Sequence, residues 1–175
     1  GTGATITFGT SVAIFTSTVT FPSNVCNLGL DVVVMSATQA LVAFVDTDLD
    51  DGHVVLLGIS GSTITVDDDL TVLTNVLGSN DGGNTIALAR LTSIRAASLF
   101  FNSSSADVFS IITISGASIS AGSSADHSTD PGPGPSMTGF ETDMILYYDR
   151  GTPTDSAFEF TAVSGVTVPA PSDTE

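Results

Sequence analysis

Lysine and tryptophan are absent from this 175-residue chain, cysteine and glutamine occur once each, and arginine three times. Each gap excludes something. Non-specific affinity for nucleic acid comes mainly from Lys and Arg displacing counterions, and peripheral binding to anionic membranes uses a basic patch. With three cations against 19 acids and a formal net charge of −16, neither partner is expected. A lone Cys26 forbids an intrachain disulfide, so the core must hold without staples, and its neighbours Val25 and Leu28 read it as a small buried hydrophobe. The missing Trp removes the favoured aromatic platform for sugars. No apolar run is long enough to span a bilayer as a helix, and no charged-then-apolar signal segment precedes Gly1, which fits a processed or shortened chain. Scarce Gln, Glu and Lys also leave little to favour helix.

What fills the chain instead is Thr, Ser, Val, Ile, Gly and Asp, residues of strands and turns. Alternation with period two governs Thr5-Ile6-Thr7-Phe8, Thr63-Ile64-Thr65-Val66 and Ala157-Phe158-Glu159-Phe160. The runs Leu41 to Val45, Val54 to Ile59, Ile111 to Ile114 and Met144 to Tyr148 are apolar throughout but for Thr113, the mark of strands covered on both faces. The acids keep such a sheet-rich chain from pairing with its neighbours, and Asp without Lys also suits cation-rich water.

One pattern returns three times: an apolar run ending in an acid or amide, a polar turn, a second apolar run, then Ser-Gly and a Thr/Ser-Ile/Val-Thr/Ser strand. It runs from Ala40 to Thr65, from Ser98 to Ser120 and from Met144 to Val168, and a partial copy opens the chain at Gly3 to Phe8. The glycines at 3, 61, 116 and 165 give steps of 58, 55 and 49 residues, the span of one small sheet. The pattern predicts a single all-β domain over 1–175. Its parts are a partial repeat at 1–20, repeats at 30–77, 85–121 and 140–168, and a tail at 169–175. Asp130-Pro131-Gly132-Pro133-Gly134-Pro135 marks 122–139 as a Pro/Gly-rich surface insertion. About four antiparallel strands per repeat is the blade of a β-propeller. Three blades do not make a ring, so the first strand closes the last sheet, or is donated to a neighbour, or the residues are a piece of a longer repeat array. A β-prism or a β-sandwich completed by strand exchange remains the alternative.

The Ala-Leu-Val-Ala-Phe-Val-Asp, Val-Val-Leu-Leu-Gly-Ile-Ser-Gly and Thr-Ile-Thr segments resemble the tandem propeller-type repeats of tail, fibre and virion-surface proteins of phages and archaeal viruses, and of related microbial surface proteins. The resemblance implies a non-enzymatic, self-associating structural part, extracellular or on the virion surface. Its partners would be copies of itself and other virion or surface proteins. The competing reading is a lectin-like host-attachment module that binds surface glycans.

Asp46-Thr47-Asp48-Leu49-Asp50-Asp51-Gly52 is the candidate metal site. Oxygens of Asp46, Asp48 and Asp50 at alternate positions of a turn can converge on Ca²⁺, though the loop lacks the glycine and glutamate of the helix-loop-helix pattern. The alternative is a solvated acidic hairpin. Asp67-Asp68-Asp69 is read as a solvated edge or bulge, since consecutive strand residues face opposite ways. His53 and His127, the two histidines, are too far apart in pattern for a histidine cage. No serine sits in a nucleophile elbow and no pair stands out among the 19 acids, so no catalytic residue is assigned.

Overall fold

The computed structural model describes residues 30–46, 51–74, 76, 86–101, 107–126, 136–140, 144–150 and 156–162, and every regular element among them is a β-strand. The opening strand at Gly3 to Phe8, Cys26, Asp48, Asp50, His127 and the last strand expected in the third repeat lie outside these residues.

The strands form three antiparallel sheets, each in chain order. Sheet 1 holds β1 (Leu30–Val34), β2 (Gln39–Asp46), β3 (Asp51–Ser60) and β4 (Thr63–Leu73). Sheet 2 holds β5 (Ile86–Arg90), β6 (Arg95–Phe101), β7 (Asp107–Ser115) and β8 (Ser118–Ala121), and β9 (Ala125–Asp126) also pairs with β7. Sheet 3 holds β10 (Ser136–Phe140), β11 (Met144–Arg150) and β12 (Ser156–Ala162). The strand β9, and β10 except for Phe140, fall inside the segment expected as an irregular insertion. The Pro-Gly alternation ends at Pro135, and beyond it Ser136 to Phe140 all carry the backbone N–H that a ladder needs.

The same turn chemistry closes sheets 1 and 2. In the first turn, Met35 N and Ser36 N donate to Gln39 O at 3.0 and 3.1 Å, and Leu91 N and Thr92 N donate to Arg95 O at 2.9 and 3.0 Å. Ile59 N reaches back to Thr38 O, as Ile114 N does to Ile94 O, both at 2.8 Å. The third turn places Gly61 at φ 60° and Gly116 at φ 64°, the left-handed region where a Cβ is unfavourable, which accounts for glycine there. Position 35 thus answers to 91, 39 to 95 and 61 to 116.

Register then decides which side chains share a face. In sheet 1, Leu41, Ala43, Val45, Val54 and Leu56 lie on one face, and Ala40, Val42, Phe44, Val55 and Leu57 on the other. We term these the front and the back. The front of sheet 1 packs on Ile86, Leu88, Ala96, Phe100, Ile112 and Ile114 of sheet 2, forming the main core with Met35, Val76 and Ile119. Those residues of sheet 2 occupy its back, by the correspondence of turns. The front of sheet 2, with Ala87, Ala97, Leu99, Phe109 and Ile111, forms a second cluster that Met137 of β10 joins. Each front therefore meets the back of the next sheet, and corresponding strands lie side by side: β1 by β5, β5 by β10, β4 by β8. This stacking explains the apolar run at Ile111 to Ile114 of β7, because a sheet between two others must be apolar on both faces.

The closest fit in the main core is Phe100 against Gly52. A Cβ built on Gly52 would stand 2.6 Å from Phe100 Cδ1, so a side chain there would displace a fully buried ring. Gly52→Val is expected to destabilise by about 1–3 kcal/mol through overpacking, and Phe100→Ala by about 3–5 kcal/mol through the cavity it leaves. Chemical denaturation of the two variants checks both values.

Candidate functional site

The seam between sheets 1 and 2 carries the polar groups that the apolar stacking leaves to be satisfied. Edge strands present unpaired N–H groups outward, and two of those on sheet 2 are taken by carboxylates of sheet 1. Asp31 Oδ2 accepts from Leu88 N of β5 at 2.7 Å, while its Oδ1 accepts from Val32 N at 2.8 Å. At the other margin Asp68 Oδ2 accepts from Ile119 N of β8 at 2.8 Å, while its Oδ1 accepts from Asp69 N at 3.0 Å. Each acid thus joins one local amide to one more than 50 residues away. Gln39 adds a third tie, its Nε2 donating to Gly116 O at 2.7 Å.

Asp68 reaches sheet 2 because β4 bulges. Leu56 pairs with Asp68 and Leu57 with Val66, which leaves Asp67 as the extra residue. The expected bulge is therefore present, but the triplet is more than a solvated edge. Asp68 holds Ile119, and Asp69 turns to the back of the sheet, where its Oδ1 lies 3.0 Å from His53 Nδ1. His53 is buried and stacks on Phe44, with ring centroids 5.4 Å apart and 10° between planes. The histidine serves the packing of β2, β3 and β4 on that face.

Asp67 itself stands at a groove of about 370 Å³ where the third turns of the two sheets converge. Thr38, Gln39, Ser60, Thr63 and Thr65 line it from sheet 1, and Gly116 and Ala117 from sheet 2. Thr65 Oγ1 donates to Asp67 Oδ1 at 2.9 Å, and both side chains lie over Gly58, where a Cβ would come within 2.7 Å of each. Hydroxyls, an amide, a backbone carbonyl and one carboxylate can exchange hydrogen bonds with a polyol. The groove was not anticipated in the sequence. Its one local signal is the run Gly58-Ile59-Ser60-Gly61 with Thr63, Thr65 and Asp67, small and hydroxylated residues alternating around a turn.

Of the candidate calcium ligands, Asp46 is buried at the end of β2 in register with Asp51 of β3, while Asp48 and Asp50 lie outside the described residues. Among the described residues no group of three or more His, Cys, Asp or Glu side chains is arranged to hold a metal ion. Nor is any helix among them long and apolar enough to cross a membrane.

Asp31 was not singled out from the sequence, although an acid within Leu30-Asp31-Val32-Val33-Val34 was a visible anomaly. Asp31→Ala leaves the Leu88 amide without its acceptor and is expected to cost about 1.5–3 kcal/mol, the worth of a hydrogen bond to a charged group. Denaturation would measure the loss, and hydrogen exchange at the Leu88 amide should accelerate relative to the rest of β5.

No protein-family model, curated protein or solved structure matches the chain.

Proposed function

We propose that this chain is a non-enzymatic structural component that associates with copies of itself, in a virus particle or an extracellular filament. Its sheets are read as successive propeller-like blades. The observation that carries the proposal is the polarity of the stack: front meets back from sheet 1 to sheet 2 and again towards sheet 3. Unlike faces joined head to tail generate a ring when the rotation closes and an open filament when it does not. Such a chain works by burying apolar faces and tying sheet edges. An acid-rich surface keeps it soluble until the correct faces meet. That charge and the absence of lysine support a working place outside the cell, in cation-rich water.

A second reading is favoured by the groove at Asp67. As a lectin-like module, the chain would hold a host glycan there through Thr65, Asp67 and the backbone of the turns. Gly58→Ala would push the Asp67 carboxylate and the Thr65 hydroxyl aside. Because both are exposed and can swing away, stability should change by under about 1 kcal/mol while glycan retention is lost. Affinity chromatography on a glycan matrix, comparing this variant with the wild type, reads the difference.

Negative-stain electron microscopy with and without a calcium chelator tests the structural reading. Ordered filaments or particles are expected. Their loss on chelation would assign Asp46, Asp48 and Asp50 a cation-dependent role, and their persistence would leave that turn a solvated hairpin. Discrete monomers retained by glycan would favour the lectin instead.

A further inference from the structure

We infer that the groove at Asp67 selects an amine-bearing sugar, a glycan whose ring carries a free, protonated amino group in place of an acetamide or a carboxylate. This rests on the lectin-like reading of the groove and gives its ligand a chemical class.

The carboxylate there is held by a feature that sheet 2 does not share. Asp67 is the extra residue of the β4 bulge, and its two oxygens lie over Gly58. The place is open because position 58 has no Cβ: one built there would stand 2.6 Å from Asp67 Oδ2 and 2.7 Å from Oδ1. In sheet 2 the residue that pairs in the same way is Thr113, between Arg95 and Ser120, as Gly58 pairs between Gln39 and Thr65. The ladder of β7 with β8 runs to Ala121 without a shift of register. Bulge, glycine and acid thus occur together in sheet 1, and the repeat alone does not produce them.

Hydrogen bonds inside the groove then decide what it has left to offer. Thr65 Oγ1 spends its one proton on Asp67 Oδ1 at 2.9 Å, so it meets a ligand as an acceptor. Gln39 Nε2, the one side-chain nitrogen of the lining, already donates to Gly116 O at 2.7 Å. No basic side chain lines the groove, and among the described residues no donor reaches Asp67 Oδ2. Acceptors are in excess, and the one charge is negative.

A ligand rich in donors and positively charged complements that lining. A protonated primary amine brings three N–H donors, and its contact with a carboxylate is a charge-assisted hydrogen bond, roughly twice as strong as a neutral one. Sugar hydroxyls can exchange hydrogen bonds with Ser60 and Thr63 beside it. Acidic sugars meet the opposite: a carboxylate with no cation in the lining, on a chain of net charge −16. Calcium is a poor occupant, because it takes about six to eight oxygen ligands, several of them from carboxylates, and the lining holds one acid.

The test is calorimetric titration of the full chain with three disaccharides, built of glucosamine, of N-acetylglucosamine and of a uronic acid, in slightly acidic buffer that keeps the amine protonated. Asp67→Asn preserves the shape and the acceptor for Thr65 while removing the charge. Asp51→Asn removes a charge at the other end of β3, and circular dichroism verifies both folds. The glucosamine disaccharide is expected to bind at least about tenfold more tightly than the other two, the worth of one hydrogen bond to a charged group. D67N should abolish that preference and D51N should keep it. Equal binding of the acetylated and free-amine sugars, or tighter binding of the uronate, overturns the inference and leaves the glycan reading standing. Equal losses in D67N and D51N show diffuse attraction to an acidic chain, which also overturns it. A wild type that binds none of the three sinks the glycan reading, and the inference with it.

Discussion

The fold depends on one interface, the burial of the front of sheet 1 against the back of sheet 2. A small sheet with a bare apolar face gains little burial to offset the entropy of ordering its strands. Stacking supplies the missing burial. The fit is set where Phe100 enters the space over Gly52, and the alignment is set at the margins, where Asp31 and Asp68 take up edge amides of β5 and β8. Apolar packing alone would let two twisted sheets slide. Charge-assisted hydrogen bonds at both margins fix the alignment, since a slide of one sheet over the other would break both ties.

These two acids show how a chain of net charge −16 manages its charge within a sheet stack. A carboxylate that accepts a local and a distant amide is satisfied without a cation, which suits a sequence with three arginines and no lysine. The same contacts cap sheet edges that would otherwise invite pairing with other chains. Association is thereby directed from edges to faces, which is why the proposed assembly runs through sheet-on-sheet contact. The acidic turn at Asp46 stands apart from this system, at the opposite end of β3 from the groove.

Much of sheets 1 and 2 was legible in the sequence. Alternation and the Ser-Gly signals placed repeats of about four strands at 30–77 and 85–121, where sheets 1 and 2 stand, and the apolar runs at Leu41 to Val45 and Val54 to Ile59 foretold burial on both faces. The bulge was legible too, because three consecutive acids cannot all avoid the core in a regular strand. The strand β10 was missed because the neighbouring prolines dominated the reading of 122–139. The groove and the roles of Asp31, Asp68 and Gln39 were not legible, because their partners lie 57, 51 and 77 residues away.

The sequence by itself determined the local matters: strand rather than helix, the positions of the left-handed glycines, the two-sided burial of the inner strands and a net charge of −16. These follow from propensity, period and charge, which act within a few residues or over the whole composition. The tertiary structure decided which face meets which, where Gly52 must admit a ring, which amides the acids hold, and that the row at Leu30, Val32 and Val34 is left bare. Those outcomes depend on how a twisted sheet seats on its neighbour, a matter of shape and long-range register that no local pattern encodes.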